Sequence, residues 1–312
     1  MRIAFLGKGG SGKTTLSSLF SLYADSKGYR VGLLDVDVNS HTAEVVGAAA
    51  TSELSQGATQ AAIQSYLSEH NPRVEVCEML NTTPPGEGSQ YWTFDDDNAL
   101  SQYGGRFGES SRVFTLGSYT ADGIGHSCHH GTQKVAENMI SHIKLAKKDI
   151  LVIDSVAGND SFANSLYFQD VLVFVVKPER EGVAVFHRYY ELAKEAGVAD
   201  RVRVIANQVI SPKQSDFLRR ELPEGVLLGE LPMNDDVIDA RLDGTPLTAA
   251  HVSEQAAKLF DAVLKEAARL RRTPQEYYEF YRDLHAEVSA QAWVHGAYRK
   301  GLEDQIDPEY QA

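Results

Sequence analysis

The segment GKGGSGKTT, residues 7 to 15, places two lysines in one glycine-rich loop. Gly7 to Thr14 fit the spacing G-x-x-x-x-G-K-[ST], in which backbone N–H groups surround phosphate oxygens because glycines bring no side chains to block them. In that pattern Lys13 binds the β- and γ-phosphates and Thr14 ligates Mg2+. Gly9, Gly10, Ser11, Gly12 and Thr15 complete the nucleotide cradle. One lysine is enough for such a cradle. Lys8 is therefore either a solvated loop residue or a cation with a separate task.

Carboxylates close other apolar runs. DVDVNSHT, 35 to 42, follows one run with Asp35, Asp37 and Asn39, and LVIDSVAG, 151 to 158, ends in Asp154 and then Gly158. IANQV, 205 to 209, supplies Asn207 at the end of a third run, and LPMND, 231 to 235, places Pro232 after a fourth. Ligands of open α/β sheets bind at the carboxyl ends of strands, which is where all these groups fall.

The elements that would carry them are plain. RIAFLG, 2 to 7, reads as a buried strand, and Leu16, Leu19, Phe20 and Tyr23 then recur at helical spacing. YRVGLLDVD, RVFTLGS, DILVIDS, DVLVFVVKP, RVRVIANQV and GVLLGELP are further strands, with helical stretches between them. Strands apolar on both faces and alternating with helices predict an α/β fold, a mostly parallel doubly wound sheet with helices on both faces.

GKGGxGKTT resembles the deviant phosphate-loop signature of the MinD/ParA-like ATPases, of the SIMIBI class of P-loop NTPases. The resemblance covers residues 1 to about 250 in element order, with its specificity in the first 40. It implies that Lys8 reaches across a two-fold interface to the partner subunit's nucleotide. It further implies that Asp37 orients the attacking water and that Asp35 supports the metal region. Asn39 would lie near the γ-phosphate or the interface. Asp154 would hold a Mg2+-bound water, Gly158 would report the γ-phosphate through its N–H, and Asn207 and Pro232 would frame the adenine. Val38 replaces the proline that usually follows the second aspartate, and Gln208 the usual lysine after the asparagine.

Within that family, GIGHSCHHG, 123 to 131, resembles the C-x-C element of the carbon monoxide dehydrogenase nickel-insertion ATPases, with His126 in place of the first cysteine and Cys128 as the second. Two such pairs from two chains would offer four nitrogen and sulfur ligands, suited to Zn2+ or Ni2+. The expected activity is an ATP- and Mg2+-dependent homodimeric switch serving a client metalloenzyme or another protein. The alternative is a positioning or regulatory ATPase without metal delivery, and a third is a monomeric kinase for a small molecule.

Composition narrows the partners. A formal net charge of −13 over 312 residues disfavours nucleic acid, and no run of about 18 apolar residues suggests a transmembrane segment. Cys77 and Cys128 are too few for a disulfide framework, so a cytoplasmic protein is expected. The ATPase domain is expected over 1–272. Within it, 81–111 is rich in Gly, Pro, Ser and acids and reads as a surface loop or insertion whose Asp95–Asp97 run is solvated. TPQE, 273 to 276, is a capping box that opens a C-terminal helical extension, 273–312. Its stripe of Tyr277, Phe280, Tyr281, Leu284 and Val288 must pack on the body or on a partner.

Overall fold

The computed structural model describes residues 1–37, 41–49, 52–118, 129–298 and 301–312, with only the backbone of 129–132. The first half of the chain gives β1 (Arg2–Gly7), α1 (Lys13–Ser26), β2 (Arg30–Asp35), α2 (Thr42–Val45) and α3 (Gly57–Ser68). It continues with β3 (Gly105–Phe107), β4 (Ser111–Thr115), α4 (His129–Ser141) and β5 (Asp149–Asp154). Then follow β6 (Val171–Val176), α5 (Arg180–Glu195), β7 (Val202–Asn207), α6 (Pro212–Glu221), β8 (Leu227–Leu231) and α7 (Asp235–Leu242). The chain finishes with α8 (Glu254–Arg269), α9 (Pro274–Ser289) and α10 (Ala292–Ala297).

One sheet runs in the order β3-β4-β2-β5-β1-β6-β7-β8. Every pairing is parallel except β3 with β4. Strands β1, β5 and β6 are buried at every position, as their unbroken apolar runs require. Alternation assigns their side chains to two faces. Ile3 and Phe5 join Phe20 of α1 and Phe260 of α8 on one side, whereas Ala4 and Leu6 join Phe186 of α5 on the other. Phe20 meets Phe260 edge-on at 5.5 Å, and full burial of each such side chain contributes about 1.5–3 kcal/mol. Because β2 and β4 lie to one side of the β5-β1 pair and β6 to β8 to the other, the strand order reverses at β1. That reversal opens a crevice at the carboxyl end, directly above the glycine loop.

The 81–111 segment is largely irregular, as a loop or insertion would be, but it is not confined to the surface. Trp92 in this segment is fully buried, donates its indole N–H to the Met139 carbonyl at 2.6 Å and packs edge-on against Phe114 at 5.2 Å. The segment then adds β3 to the sheet edge. Its low periodicity hid this order, because long-range partners supply the structure. Asp95 and Asp96 are exposed as expected, yet they pair with Arg30, Arg106 and Arg112.

Helix α9 starts on the expected capping box of Thr273 and Glu276 and packs on the body. Its partner is partly the 81–111 segment. Thr82 bonds to His285 of α9 at 3.0 Å, while Thr83 donates to Gln305 at 2.9 Å and the Glu87 N–H to Asp307 at 3.0 Å, both in the tail beyond α10.

Glu137 of α4 anchors the same junction. It accepts from the Ser165 N–H and hydroxyl, both at 2.8 Å, and from Asn81 at 3.1 Å. Full burial outweighs these bonds and pushes its carboxyl up to about 7. An acid whose folded pKa is raised favours the native state at low pH. That contribution is present below the unfolded value of 4.5 and is lost as pH rises through about 7. Between about pH 5 and pH 8 the loss is on the order of 2 kcal/mol. Glu137→Gln, which carries no titrating group, is expected to lack this part of the pH dependence when the two proteins are compared by denaturant titration across that range.

Candidate functional site

The site begins with two glycines whose conformations no other residue could take cheaply. Gly7 closes β1 at φ 143°, where a Cβ would lie 2.3 Å from the Val175 carbonyl oxygen. Gly12 caps α1 at φ 96°, where a Cβ would lie 2.3 Å from the Asn207 amide nitrogen. The loop between them closes through a Ser11 N–H to Lys8 carbonyl bond of 3.1 Å. Helix α1 has no side-chain cap and no acid in its first turn. Its leading N–H groups and positive dipole end are therefore left for an anion.

Strand register gathers the carboxylates. Asp35 and Asp154 are aligned neighbours on β2 and β5, and Phe5 of β1 is aligned with Asp154. Asp35 is buried and organises the turn after β2. It accepts from the N–H groups of Asp37 (3.1 Å), His41 (3.1 Å) and Thr42 (3.2 Å) and from the Thr42 hydroxyl (2.8 Å). Asp37 is held half-buried by the first of these bonds. Burial raises the pKa of Asp35, and burial followed by repulsion from Asp35 raises that of Asp154, against the lowering effects of the Thr14 hydroxyl and Lys13.

Two carboxylates crowded in a dry site ask for a cation. Asp154 Oδ1 is buried with no hydrogen-bond partner, as are Ser155 Oγ on the next residue and Ser11 Oγ in the glycine loop. Carboxylate and hydroxyl oxygens are the donors that Mg2+ takes, so the residues fit a Mg2+–nucleotide. Thr14 and Asp154 are the groups that would hold the metal region.

The two lysines differ. Lys13 is buried at 7% exposure inside the loop, whereas the Lys8 side chain is 40% exposed and pairs with Glu179 at 3.2 Å. Glu179 lies just ahead of α5, so it was invisible as a partner at a separation of 171 residues. The Gly158 N–H donates to the Gly7 carbonyl at 3.0 Å. It would have to leave that bond to meet a γ-phosphate.

Asn207 has a structural partner in the glycine loop. Its amide donates to the Ser11 carbonyl at 2.9 Å, tying the end of β7 to the glycine loop. A cavity of about 670 Å3 opens beyond it, with Gly12, Thr15, Asn207 and Pro232 in its lining. Gln208, Arg241 and His251 also line it without having been anticipated. Gln208 has φ 63°, a left-handed conformation rarely adopted outside glycine, and a close reading of the strand-end dipeptide gives no signal for it. Asn39, His126 and Cys128 lie outside the described residues. Among the described residues no group of three or more His, Cys, Asp or Glu side chains could hold a metal ion by itself, and no helix is long and apolar enough to cross a membrane.

The profile of the CobQ/CobB/MinD/ParA nucleotide-binding domain family matches residues 3–247. The chain is 22% identical over 279 residues to an uncharacterized ATP-binding protein of Methanocaldococcus jannaschii, covering 88% of this chain and 100% of the other. It is 24% identical over 238 residues to the carbon monoxide dehydrogenase accessory protein CooC of Rhodospirillum rubrum, covering 76% of this chain and 85% of that one. A ParA family ATPase from Chlorobium tepidum superposes with a TM-score of 0.58 at 15% identity, over 84% of this chain and 97% of that one. The septum site-determining protein MinD of Pyrococcus horikoshii, complexed with Mg-ADP, gives 0.54 at 18% identity, over 87% and 99%. At these identities the superpositions establish the fold.

Proposed function

The chain belongs to the CobQ/CobB/MinD/ParA nucleotide-binding domain family, and on that premise we propose that it is a Mg2+-dependent ATPase whose nucleotide state closes and opens a homodimer. The observation that carries this reading is the contrast between its two loop lysines, one enclosed at 7% exposure and the other on the surface in a cis ion pair. An exposed pair of this kind contributes about 0–1 kcal/mol, so Lys8 can be given up to a second chain at little cost.

In the closed dimer Lys13 and the α1 N-terminus hold the triphosphate of their own chain, and Lys8 neutralises charge developing on the partner's. Thr14 and Asp154 hold the Mg2+ region, which supplies charge neutralisation when the metal is bound. Asp37 orients the attacking water, and Asp35 fixes the turn that carries Asp37. Gly158 exchanges its bond to Gly7 for the γ-phosphate, and so links that phosphate to the segment after β5. Asn207 and Pro232 bound the base side of the cavity. Gly9, Gly10, Ser11, Gly12 and Thr15 complete the cradle, with Asn39 toward the γ-phosphate or the interface.

The switch is read as a maturation factor or metallochaperone for a client metalloenzyme. The similarity to the carbon monoxide dehydrogenase accessory protein supports that choice, together with the His126-x-Cys128 pair as interface ligands for Zn2+ or Ni2+. Light scattering of the ATP- and Mg2+-loaded chain, followed by dialysis against Zn2+ or Ni2+, is expected to give a dimer with about one metal, reduced to near none in Cys128→Ser with the dimer intact. A metal-free wild-type dimer would remove the delivery role and leave the alternative, a positioning or regulatory switch.

A further inference from the structure

A second cavity, of about 330 Å3, lies on the opposite rim of the sheet from the glycine loop. It is at the small end of the range for ligand pockets. Its walls come from the segments that lead into β1, β5 and β6 and from the link between α8 and α9. It therefore shares no lining with the nucleotide cavity.

Four cationic side chains, Arg2, Lys144, Arg271 and Arg272, line it against one acidic side chain, Asp170, and Met1 and Ala312 also border it. Arg2 and Arg272 form the buried floor at 6% and 8% exposure. The Arg2 guanidinium lies 3.7 Å from the centre of the Tyr277 ring and donates to the carbonyls of Ile140 at 3.0 Å and Ile143 at 3.4 Å. Arg272 is stacked in the same way on Phe168 at 3.7 Å and donates to the Gln169 carbonyl. Burial, with Arg201 adding to it, holds the Arg272 guanidinium below its ordinary range.

Asp170 cannot neutralise this set. Its oxygens already accept from the Arg2 N–H at 2.8 Å, the Arg272 N–H at 2.8 Å and the Tyr277 hydroxyl at 3.0 Å. Lys144 and Arg271 are exposed at the mouth, with the Lys144 ammonium 4.1 Å from the centre of the Tyr91 ring. Among the described residues none of the four cations forms a side-chain ion pair. Glu276 adds only a longer-range attraction to Arg272, so cations outnumber acids here, which is costly where solvent is partly excluded and stands out in a chain of net charge −13.

We propose that this cavity is a second ligand site, which takes a small phosphate-bearing anion. The guanidinium forks and the ammonium match phosphate oxygens. The excess of positive charge suits a dianion better than a lone carboxylate, and the tyrosine rings give the pocket its apolar wall.

The test is equilibrium dialysis of the full chain with inorganic pyrophosphate in a Lys13→Ala background, which disables the phosphate cradle of the nucleotide loop. About one pyrophosphate per chain is expected to remain bound. Adding Arg271→Glu and Lys144→Glu is expected to weaken that binding by roughly 30-fold or more. Both positions are exposed, so the melting temperature of this variant should match its parent. On the wild-type background the same two changes should leave ATP turnover unaltered, which separates this site from the nucleotide reading. Loss of all binding in Lys13→Ala alone, or unchanged affinity in the charge-reversed variant, would overturn the proposal.

Discussion

Lys8→Ala is expected to bind ATP with near wild-type affinity, yet to lose the ATP-dependent dimer and most of its turnover, a fall of about 10²–10³-fold. The cradle itself explains the intact affinity. Lys13, the uncapped end of α1 and the loop N–H groups all remain, and Lys8 points instead to Glu179 on the surface. The loss of rate follows from electrostatics. A lysine about 4 Å from a phosphate charge at an effective dielectric of about 20 is worth on the order of 4 kcal/mol. Half of that, felt only in the transition state, changes a rate by more than about tenfold. Removing the Glu179 partner tests the same residue from the other side. Because the ion pair is half-exposed and weak, Glu179→Gln should leave folding unchanged, so any defect in Lys8→Ala belongs to the dimer. Steady-state phosphate release and nucleotide binding, measured on the same samples, decide the case.

Asp37→Ala is expected to give the complementary phenotype, a stable ATP-bound dimer that turns over about 10²–10⁴-fold more slowly. Asp37 follows β2, and its backbone is fixed by the Asp35 carboxylate, which itself holds the turn through four hydrogen bonds. The alanine variant keeps that scaffold, because the bond from residue 37 uses its N–H. What it removes is the side-chain carboxylate. Trapped dimer with ATP uncleaved over the assay is the expected result, and fast turnover would exclude Asp37 as the group that orients water.

Much of the candidate site's framework was legible because it is local in the chain. Glycine spacing, the strand before it and the helix after it are contained in residues 2 to 26, and the carboxylates end apolar runs that can be read one at a time. Partnerships between distant segments were not legible. Nothing near Lys8 announces Glu179, and nothing near Asn207 announces that its amide will tie to Ser11. The 81–111 segment lacks periodicity, yet Trp92 and its aromatic neighbours anchor it by contacts that only the fold creates. For the same reason the aromatic face of α9 could be seen to need a partner, but the partner itself could not be named.

The central claim, that each active site is completed by a lysine from the other chain, is tested most directly by mixing Lys8→Ala with Asp37→Ala. In a mixed dimer one pocket has its own Asp37 and receives the partner's intact Lys8, while the second pocket lacks both. Because a mixed dimer holds one complete pocket of its two, turnover is expected to rise well above the sum of the separate variants, to at most about half of wild type. Turnover no greater than the sum of the separate variants, with only single chains seen by light scattering in ATP and Mg2+, would contradict it.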